Sequence, residues 1–361
     1  MALNGVNETA AEALGDGQRP AILTQELQTH SFQVLGVTWK SGEQLPSGAH
    51  ISVRTRHDGK WTGWQNVRPT TTTASEDDSK QSGRTGTDAF LAGQSDGVQV
   101  RVEKAADAKL PNDMELTLVD GGTAPGDASA GAQKAGKQAT SGEQPEIAPH
   151  IAWCTNDPNF MPDPKDPQKM LSCQQVVDAE YKVEGVPAKA AILNHALQGS
   201  NANDYTEAQV PGIIRAMFAY LKESQDFGDG AYNFVVDRFG RIWENRKGSI
   251  AAPNADAESI RGAHTAGWNV GTIGVGLLGD FSGTNQPSDS MMQGVAHLLA
   301  WKFSQYKINP EGKVALNGKE INTLIGASDV IATDSPGNAS KKLPALRKEV
   351  ADLMGQAQHA S

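Results

Sequence analysis

The sequence predicts two domains of different class: an all-β sandwich, and after it an α/β domain whose central mixed sheet is flanked by helices. In the first third of the chain, apolar and polar side chains alternate in short runs separated by Gly, Asp and Pro, the pattern of half-buried strands. Further along, apolar residues recur at helical spacing beside short continuous apolar runs. We therefore expect a disordered segment at residues 1–20, the sandwich at 21–120, a flexible linker at 121–148 and the α/β domain at 149–361.

The strands of the first domain are expected where the alternation is regular. Runs of this kind cover residues 31–39, 50–56, 97–103 and 114–119. Short alternating strands with turn residues between them favour an antiparallel sandwich. Residues 69–87 are rich in Thr, Ser, Asp and Gly, a composition that predicts a long polar loop within this domain.

The tryptophan pair of the first domain, Trp61 and Trp64, has two interpretations. An exposed pair would form a platform on which sugar rings stack, since aromatic faces suit pyranose rings. Large aromatic side chains are more often buried, however. We therefore favour a pair that closes one end of the sandwich core.

The linker is predicted from what it lacks. Residues 121–146 contain no aromatic and no large aliphatic side chain. Such a segment buries too little apolar surface to offset the entropy lost on ordering. We therefore expect it to be a flexible tether between the two domains.

Composition excludes two classes of function. No run approaches the ~18 apolar residues that cross a bilayer, so no transmembrane segment is expected. The formal net charge is -10 and no Lys/Arg cluster occurs. Because phosphate backbones are bound by basic surfaces, nucleic acid is not expected as a partner.

The second domain is predicted to carry helices over a sheet. Helical spacing joins two sets of apolar residues: Val210, Ile213, Ile214, Met217, Phe218 and Leu221, and then Met291, Val295, Leu298, Leu299 and Phe303. A closing helix is marked by Leu343, Leu346, Val350 and Leu353. Residues 272–279 form a candidate for a fully buried strand.

Five segments of this domain carry a family resemblance. They are Ala190 to Ala196, Tyr232 to Arg246, Gly262 to Asn269, Gly326 to Val330 and Thr333 to Gly337. Over roughly residues 149–357 the chain resembles the peptidoglycan recognition proteins and zinc N-acetylmuramoyl-L-alanine amidases. Residues 58–67 look like the β-domain that precedes the amidase domain in secreted actinobacterial members. The resemblance implies an exported protein whose partner is peptidoglycan or another cell-wall polymer, or a wall enzyme or envelope protein.

The metal positions of the family are altered in this sequence. Carried over position by position, the three zinc ligands of the family fall on Asn194, Ala327 and Ser335. A catalytic zinc needs about three ligands drawn from imidazole, thiolate and carboxylate. A methyl group cannot bind zinc, and amide and hydroxyl oxygens suit it poorly. No metal cofactor is therefore expected.

Other family positions match. Tyr232 lies where the resemblance implies a catalytic tyrosine that would donate a hydrogen bond to an oxyanion. Further binding residues implied by the resemblance are His195, Arg246, His264, Trp268 and Asn269. Each also has a structural interpretation, because a tyrosine beginning a strand or an isolated histidine is often part of the packing. For Tyr232 and His195 both interpretations stay open, whereas for His264 we favour a place in the pocket.

The cysteines and the start of the chain bear on cellular location. Cys154 and Cys173 are the only cysteines, and the resemblance to exported wall proteins implies one disulfide between them. Two free thiols in a cytosolic protein are the alternative. The first five residues lack the features of a signal peptide. From the resemblance we expect an export signal that this sequence no longer carries.

Three functions remain open at this stage. The first is a catalytically inactive amidase-like protein that binds cell-wall material or a wall enzyme. The second is an amidase with a relocated zinc, held by His195, His264 and Asp334. The third is a metal-free wall glycan hydrolase that uses two carboxylates as acid and base, with Asp229, Asp237 and Glu244 as the candidates.

Overall fold

The computed structural model describes residues 1–7, 20–70, 84–132, 142–158, 160–163, 165–177, 186–251 and 259–359. These residues form a β-domain followed by an α/β domain, which confirms the predicted fold class. Most of the predicted polar loop, part of the predicted linker and residues 8–19 of the predicted disordered segment lie outside the described residues.

The β-domain is built from short antiparallel pairs around two long strands. Its strands are β1 Ile22–Leu23, β2 Leu27–Lys40, β3 His50–His57, β4 Lys60–Trp61, β5 Gln65–Val67, β6 Arg84–Gly86, β7 Phe90–Glu103 and β8 Glu115–Val119. Strand β2 pairs with β6, β7 and β8, and its register against β7 shifts twice. Such bulges bend a strand. The alternating apolar side chains of β2, β3 and β7 meet in one core, as their period-two pattern predicts.

The tryptophan pair does not close the core, so that prediction is wrong. Trp61 and Trp64 are half-buried and interleave with arginines. The Arg54 guanidinium lies 5.1 Å from the Trp61 ring centre and 5.3 Å from that of Trp64, and Arg101 lies 4.8 Å from Trp64. Cation–π contact with these arginines holds the rings on the outer surface of the sheet, away from the core.

The first seven residues are ordered, in contrast to the expected disordered segment. Leu3 is buried in the β-domain core. The amino-terminal ammonium donates to the Leu116 carbonyl at 2.8 Å, and Ala2 forms a bridge to Glu115. The segment is therefore held by one apolar side chain together with backbone pairing along β8.

The start of the predicted flexible linker is also ordered. It contains a short helix, α1 Asp127–Gly131. Arg215 in the next domain donates to the Gly121 carbonyl at 2.6 Å and to the Asp127 carboxylate at 2.7 Å. A buried guanidinium supplies the binding energy that this segment lacks in apolar side chains. The expectation of a flexible tether is thus wrong for residues 121–132.

The α/β domain has the predicted mixed sheet. Its elements are β9 Ile147–Ala148, β10 Met161–Asp163, β11 Asp166–Leu171, α2 Cys173–Val176, β12 Ala190–His195, α3 Val210–Gln225, β13 Phe234–Val236, β14 Ile242–Glu244, β15 Thr272–Leu277, α4 Asp289–Tyr306, β16 Lys313–Leu316, β17 Lys319–Asn322, β18 Leu324–Gly326 and α5 Leu343–His359. The sheet order within the described residues is β18-β12-β15-β13-β14-β9, with β13 and β14 antiparallel and the other pairs parallel. Apolar residues of α3 pack on one side, and those of α4 and α5 pack on the other.

Cys154 and Cys173 form a disulfide, which confirms the predicted pairing. The bond joins the segment before β10 to the start of α2. Among the described residues, no helix has the length and apolar character needed to cross a membrane.

The two domains are docked directly against each other. Helix α3 packs on β2, where Tyr220 lies over Gly36 so closely that a Cβ at Gly36 would overlap its hydroxyl group. That hydroxyl donates to the Thr87 carbonyl at 2.8 Å. The Gln198 side chain accepts from the Arg68 backbone N–H at 2.7 Å and donates to the Asp88 carbonyl at 2.6 Å. This docking brings part of the β-domain to the carboxyl edge of the α/β sheet.

Candidate functional site

The three altered metal positions lie together at the carboxyl edge of the sheet. Strands β12 and β18 are parallel neighbours, with Leu193 opposite Gly326, so Asn194 and Ala327 follow at their adjacent ends. Ser335 closes the group, because its Oγ accepts a hydrogen bond of 2.9 Å from the His195 backbone N–H. The three positions therefore lie near one another in the folded chain.

The chemistry of these positions does not fit zinc. The Asn194 amide is buried and donates to Thr265 Oγ1 at 3.4 Å. The Ala327 methyl group is fully buried beside Trp268 and Ile325, and the Ser335 hydroxyl is already occupied by a backbone N–H. Within the described part of the chain, no three His, Cys, Asp or Glu side chains are grouped to hold a metal ion. An amide, a methyl and a hydroxyl group offer zinc no suitable donor set.

A polar cluster that sequence reasoning missed lies at the same edge. The His195 ring is buried between two carboxylates, with Nδ1 3.9 Å from Asp280 and Nε2 3.8 Å from Asp334. Arg68, from the β-domain, reaches over to this ring and pairs with Asp280 at 2.9 Å and with Asp334 at 3.6 Å. It also donates to Ser282 Oγ at 3.0 Å. Residues of both domains therefore form this cluster. We call Arg68, His195, Asp280 and Asp334 the carboxyl-edge cluster.

The charges of the cluster act on one another. Burial lowers the pKa of His195, and the positive charge of Arg68 lowers it further, against the opposing effect of the two carboxylates. Burial raises the pKa of Asp280, but the hydrogen bond from Ser282 and the charge of Arg68 outweigh it, so the net shift is downward. The histidine is therefore kept neutral while Asp280 is kept ionised.

The cluster could be found only in part from the sequence. Asp280 follows a predicted buried strand, and the carboxyl ends of parallel strands share one edge of the sheet. Arg68 gives no such signal, because it belongs to the other domain and lies 212 residues from Asp280.

His264 is not a pocket residue, so that prediction is wrong. Its ring is fully buried and packs over Gly262 and Gly274, where a Cβ would collide with it. Nδ1 lies 3.0 Å from Thr265 Oγ1. Burial, with a smaller effect of the Arg246 charge, lowers the pKa of His264 to about 3.

Three further residues expected in the cleft are also mainly structural. Arg246 is fully buried and donates to the carbonyls of Gly230 at 2.6 Å and Arg261 at 2.8 Å. The Asn269 side chain accepts from the backbone N–H groups of His264 and Thr265, each at 2.9 Å. Trp268 is buried in the apolar group that contains Ala327. These three side chains therefore lie beneath the protein surface, where a bound ligand would not contact them directly.

Tyr232 lies beside the carboxyl-edge cluster. Its ring packs over Gly276, and its hydroxyl donates to the His195 carbonyl at 3.4 Å. Burial raises the pKa of Tyr232, so the hydroxyl stays protonated. The structure therefore brings Tyr232 and His195 together, with both side chains buried.

The carboxylates considered for a metal-free hydrolase are engaged inside the domain. Their contacts are Asp229 with the His150 ring at 2.9 Å, Asp237 with Arg241 at 2.7 Å, and Glu244 with the His150 backbone N–H at 3.1 Å. All three are buried. Their positions give no support to an acid and base pair in the cleft.

The fold and the three converging positions define an amidase-like scaffold, and comparison with known proteins agrees. Residues 185–338 match the N-acetylmuramoyl-L-alanine amidase family, and residues 3–140 match the family described as Rv3811 N-terminal galactose-binding domain-like. The second domain is therefore similar to the amidase family, in agreement with the sequence resemblance, and the β-domain before it is similar to galactose-binding-like domains.

Similar proteins include peptidoglycan-recognition proteins of insects. Peptidoglycan-recognition protein SA of Drosophila melanogaster is 29% identical over 42% of this chain and 63% of its own length. Peptidoglycan-recognition protein 2 of Holotrichia diomphalia is 29% identical over 45% of this chain and 74% of its own length. The solved Drosophila SA structure is 23% identical, with a TM-score of 0.39 over 56% of this chain and 91% of that one.

Proposed function

We propose that this protein is a catalytically inactive, amidase-like cell-wall protein that binds peptidoglycan. One observation carries the proposal: the three positions that meet at the carboxyl edge offer an amide, a methyl and a hydroxyl group in place of zinc ligands. The similarity to peptidoglycan-recognition proteins supports the choice of ligand. The disulfide supports an exported location, because such bonds persist in oxidising compartments.

We further propose that the carboxyl-edge cluster is the working part of the binding surface. The Asp334 side chain is 49% exposed and that of Arg68 is 23% exposed, whereas the residues beneath them are buried. Peptide stems of cell walls carry carboxylates, which a guanidinium binds with charge-assisted hydrogen bonds. A carboxylate of a bound peptide stem would replace Asp334 as the partner on the exposed side of the Arg68 guanidinium.

The amidase and hydrolase alternatives have no favouring observation. The ligand set considered for a relocated zinc includes His264, whose ring is enclosed in the core, and among the described residues no three ligand side chains are grouped to hold a metal ion. A metal-free hydrolase would need a carboxylate pair in the cleft, but the candidates form internal contacts.

Catalytic inactivity is tested with zinc and purified cell walls. We expect protein purified in the presence of zinc to hold well below one equivalent after dialysis, and to release no peptide stems from walls. Stoichiometric zinc together with stem release would overturn the proposal.

Binding is tested by co-sedimentation with the same walls. The parent protein should sediment, and Arg68→Ala should weaken attachment about tenfold, or about 1.4 kcal/mol. Arg84→Ala is the matched control, because Arg84 has a similar exposure of 24% and pairs within the β-domain, away from the cleft. A parent that stays in solution, or equal attachment of the Arg68 variant, would contradict the proposed surface.

A further inference from the structure

Gln198 lies where the α/β domain meets the part of the β-domain that carries Arg68. It follows strand β12 closely, and β12 ends at His195 of the carboxyl-edge cluster. The backbone of Gln198 pairs with the β-domain, because its N–H donates to the Ala89 carbonyl at 3.0 Å and its carbonyl accepts from the Leu91 N–H at 2.9 Å. The Gln198 side chain is fully buried. This residue therefore joins the two domains at the edge of the sheet where the cluster lies.

The side-chain amide of Gln198 holds the backbone on both sides of Arg68. Its Oε1 atom accepts from the Arg68 N–H at 2.7 Å. Its Nε2 atom donates to the Asp88 carbonyl at 2.6 Å and to the Arg68 carbonyl at 3.3 Å. A primary amide has a carbonyl oxygen and two N–H donors, so every hydrogen-bonding group of this side chain is used on the β-domain backbone. The amide pairs with Arg68 much as the peptide groups of a neighbouring strand would.

The backbone at Arg68 depends on this amide. Strand β5 ends at Val67, and pairing resumes at Pro69, which forms a bridge to Thr87. Between them, the Arg68 N–H has the Gln198 oxygen as its acceptor. An N–H group that loses its acceptor inside the protein costs free energy, so without the amide this peptide group would turn toward water. Since a residue before proline is restricted to extended backbone, such a turn would also redirect the Arg68 side chain.

The bonds of the Arg68 guanidinium require a defined position. Nη1 donates to Ser282 Oγ at 3.0 Å, and Nη2 donates to the Asp280 carboxylate at 2.9 Å. Hydrogen bonds weaken steeply as their angles depart from linearity, and two bonds from different nitrogens fix the plane of the guanidinium. The place of the Arg68 backbone therefore decides whether both bonds can form.

We propose that Gln198 is a positioning residue, whose amide holds Arg68 of the β-domain where its guanidinium completes the carboxyl-edge cluster. The inference rests on the proposed function for the ligand that the cluster binds. The placement of Arg68 itself requires no ligand. A surface that takes a cation from one domain and carboxylates from the other needs such a residue at the junction.

The first test needs no cell wall, because Asp280 reports on the place of the guanidinium. Burial raises the pKa of Asp280, whereas the Ser282 hydrogen bond and the Arg68 charge lower it. Displacement of Arg68 should therefore raise this pKa, which carbon-13 NMR of the carboxyl group measures in the full chain. Gln198→Met keeps a similar volume without the amide. We expect it to raise the pKa of Asp280 in the same direction as Arg68→Ala, and by about half as much or more.

Tyr220→Phe is the matched control for the loss of a bond between the domains. The Tyr220 hydroxyl donates to the Thr87 carbonyl at 2.8 Å, and it makes no bond to Arg68. This variant should lower the Tm and leave the pKa of Asp280 at the value of the parent. The backbone bonds of residue 198 to the β-domain remain in Gln198→Met, so the domains should stay docked.

A second variant replaces Gln198→Met if that protein does not fold. Gln198→Asn keeps the amide on a shorter side chain, which cannot reach both the Arg68 N–H and the Asp88 carbonyl. It should raise the pKa of Asp280 in the same direction as Arg68→Ala.

Attachment to purified cell walls gives the second test. Gln198→Met should weaken co-sedimentation about tenfold, as Arg68→Ala does, and Tyr220→Phe should stay within about twofold of the parent. Because the amide acts through Arg68, the double variant Arg68→Ala/Gln198→Met should lose no more than Arg68→Ala alone. A merely structural role of Gln198 would add its own loss in the double variant.

The proposal is overturned if Gln198→Met leaves the pKa of Asp280 unchanged, or if Tyr220→Phe raises it as much. It is equally overturned if the losses of attachment add in the double variant. If the parent protein does not attach to walls, the proposed function fails, and the titration of Asp280 still decides the role of Gln198.

Discussion

Two groups of positions that the family resemblance singles out differ in what their side chains do. Asn194, Ala327 and Ser335 stand where zinc ligands are expected, and their side chains cannot serve that purpose. Arg246 and His264 match the family pattern, but both are fully buried and bonded inside the domain. The difference teaches that a residue matching a family motif can stabilise the fold without contacting a ligand.

Arg246→Ala should give the largest loss of stability, because it removes a buried guanidinium. It tests whether this residue has a structural role. The variant loses two charge-assisted hydrogen bonds and leaves two carbonyls buried without a donor. We expect the free energy of unfolding to fall by roughly 3 kcal/mol or more, measured by urea denaturation. Arg238→Ala, at a side chain that is 41% exposed, should cost about 1 kcal/mol or less. Equal losses would show that burial does not set the role of Arg246.

Restoring zinc ligands at Asn194, Ala327 and Ser335 tests whether these positions still have the geometry of a metal site. Because the three positions still converge, the triple variant Asn194→His/Ala327→His/Ser335→Cys should bind zinc. At a zinc concentration 100 times the Kd, the gain in stability is about 2.7 kcal/mol, seen as a rise in Tm that the parent lacks.

The same triple variant should be less stable than the parent without zinc. Ala327 is packed against Trp268 and Ile325, so an imidazole there overfills the site by about 1–3 kcal/mol. The double variant that keeps Ser335 is the control and should bind zinc more weakly. A folded triple variant with no zinc-dependent rise in Tm would mean that the positions no longer have metal geometry.

The pH dependence of stability tests whether His264 is a core residue. Its pKa is about 3 in the folded protein and about 6.5 when unfolded. Between these values the unfolded chain binds the extra proton, so stability should fall as pH decreases, by up to about 1.4 kcal/mol per pH unit. Stability from this group is complete above about pH 6.5.

His264→Gln should flatten that slope, whatever its effect on stability at neutral pH. His50→Gln, at an exposed position, is the control and should keep the parent slope. Denaturation curves between pH 4 and 7 give the measurement. An unchanged slope in the His264 variant would contradict its burial as a neutral ring.

Tyr232→Phe should have the smallest effect. The hydroxyl makes one long hydrogen bond, to the His195 carbonyl at 3.4 Å, so its loss should cost about 1 kcal/mol or less. Wall attachment, measured by co-sedimentation, should not change. A clear loss of wall attachment would place this hydroxyl in contact with the ligand.

The sequence predicted the elements whose signal is local. The apolar residues from Val210 to Leu221 all fall within helix α3, and residues 272–279 contain strand β15. The three altered metal positions were assigned from the family resemblance, which short segments of the sequence carry. The spacing of apolar residues, and whether a given side chain can bind zinc, can be read from the sequence without knowing the distant contacts.

The sequence failed where a role depends on what covers a side chain. Trp61 and Trp64 were expected in the core, but the arginines of β3 and β7 hold them on the outer face. Residues 121–132 were expected to be flexible, but Arg215 of α3 fixes them. In both cases the deciding partner lies far along the chain.

By itself, the sequence determined the two fold classes, the disulfide pair and the absence of zinc donors from the three family positions. Only the tertiary structure decided that His264 lies inside the core, that Arg68 crosses from the β-domain to Asp280, and that the Gln198 amide bonds to the Arg68 backbone. The physical reason is that periodicity and ligand chemistry are local properties. Burial and cross-domain charge pairing arise from contacts between segments that only the folded chain brings together.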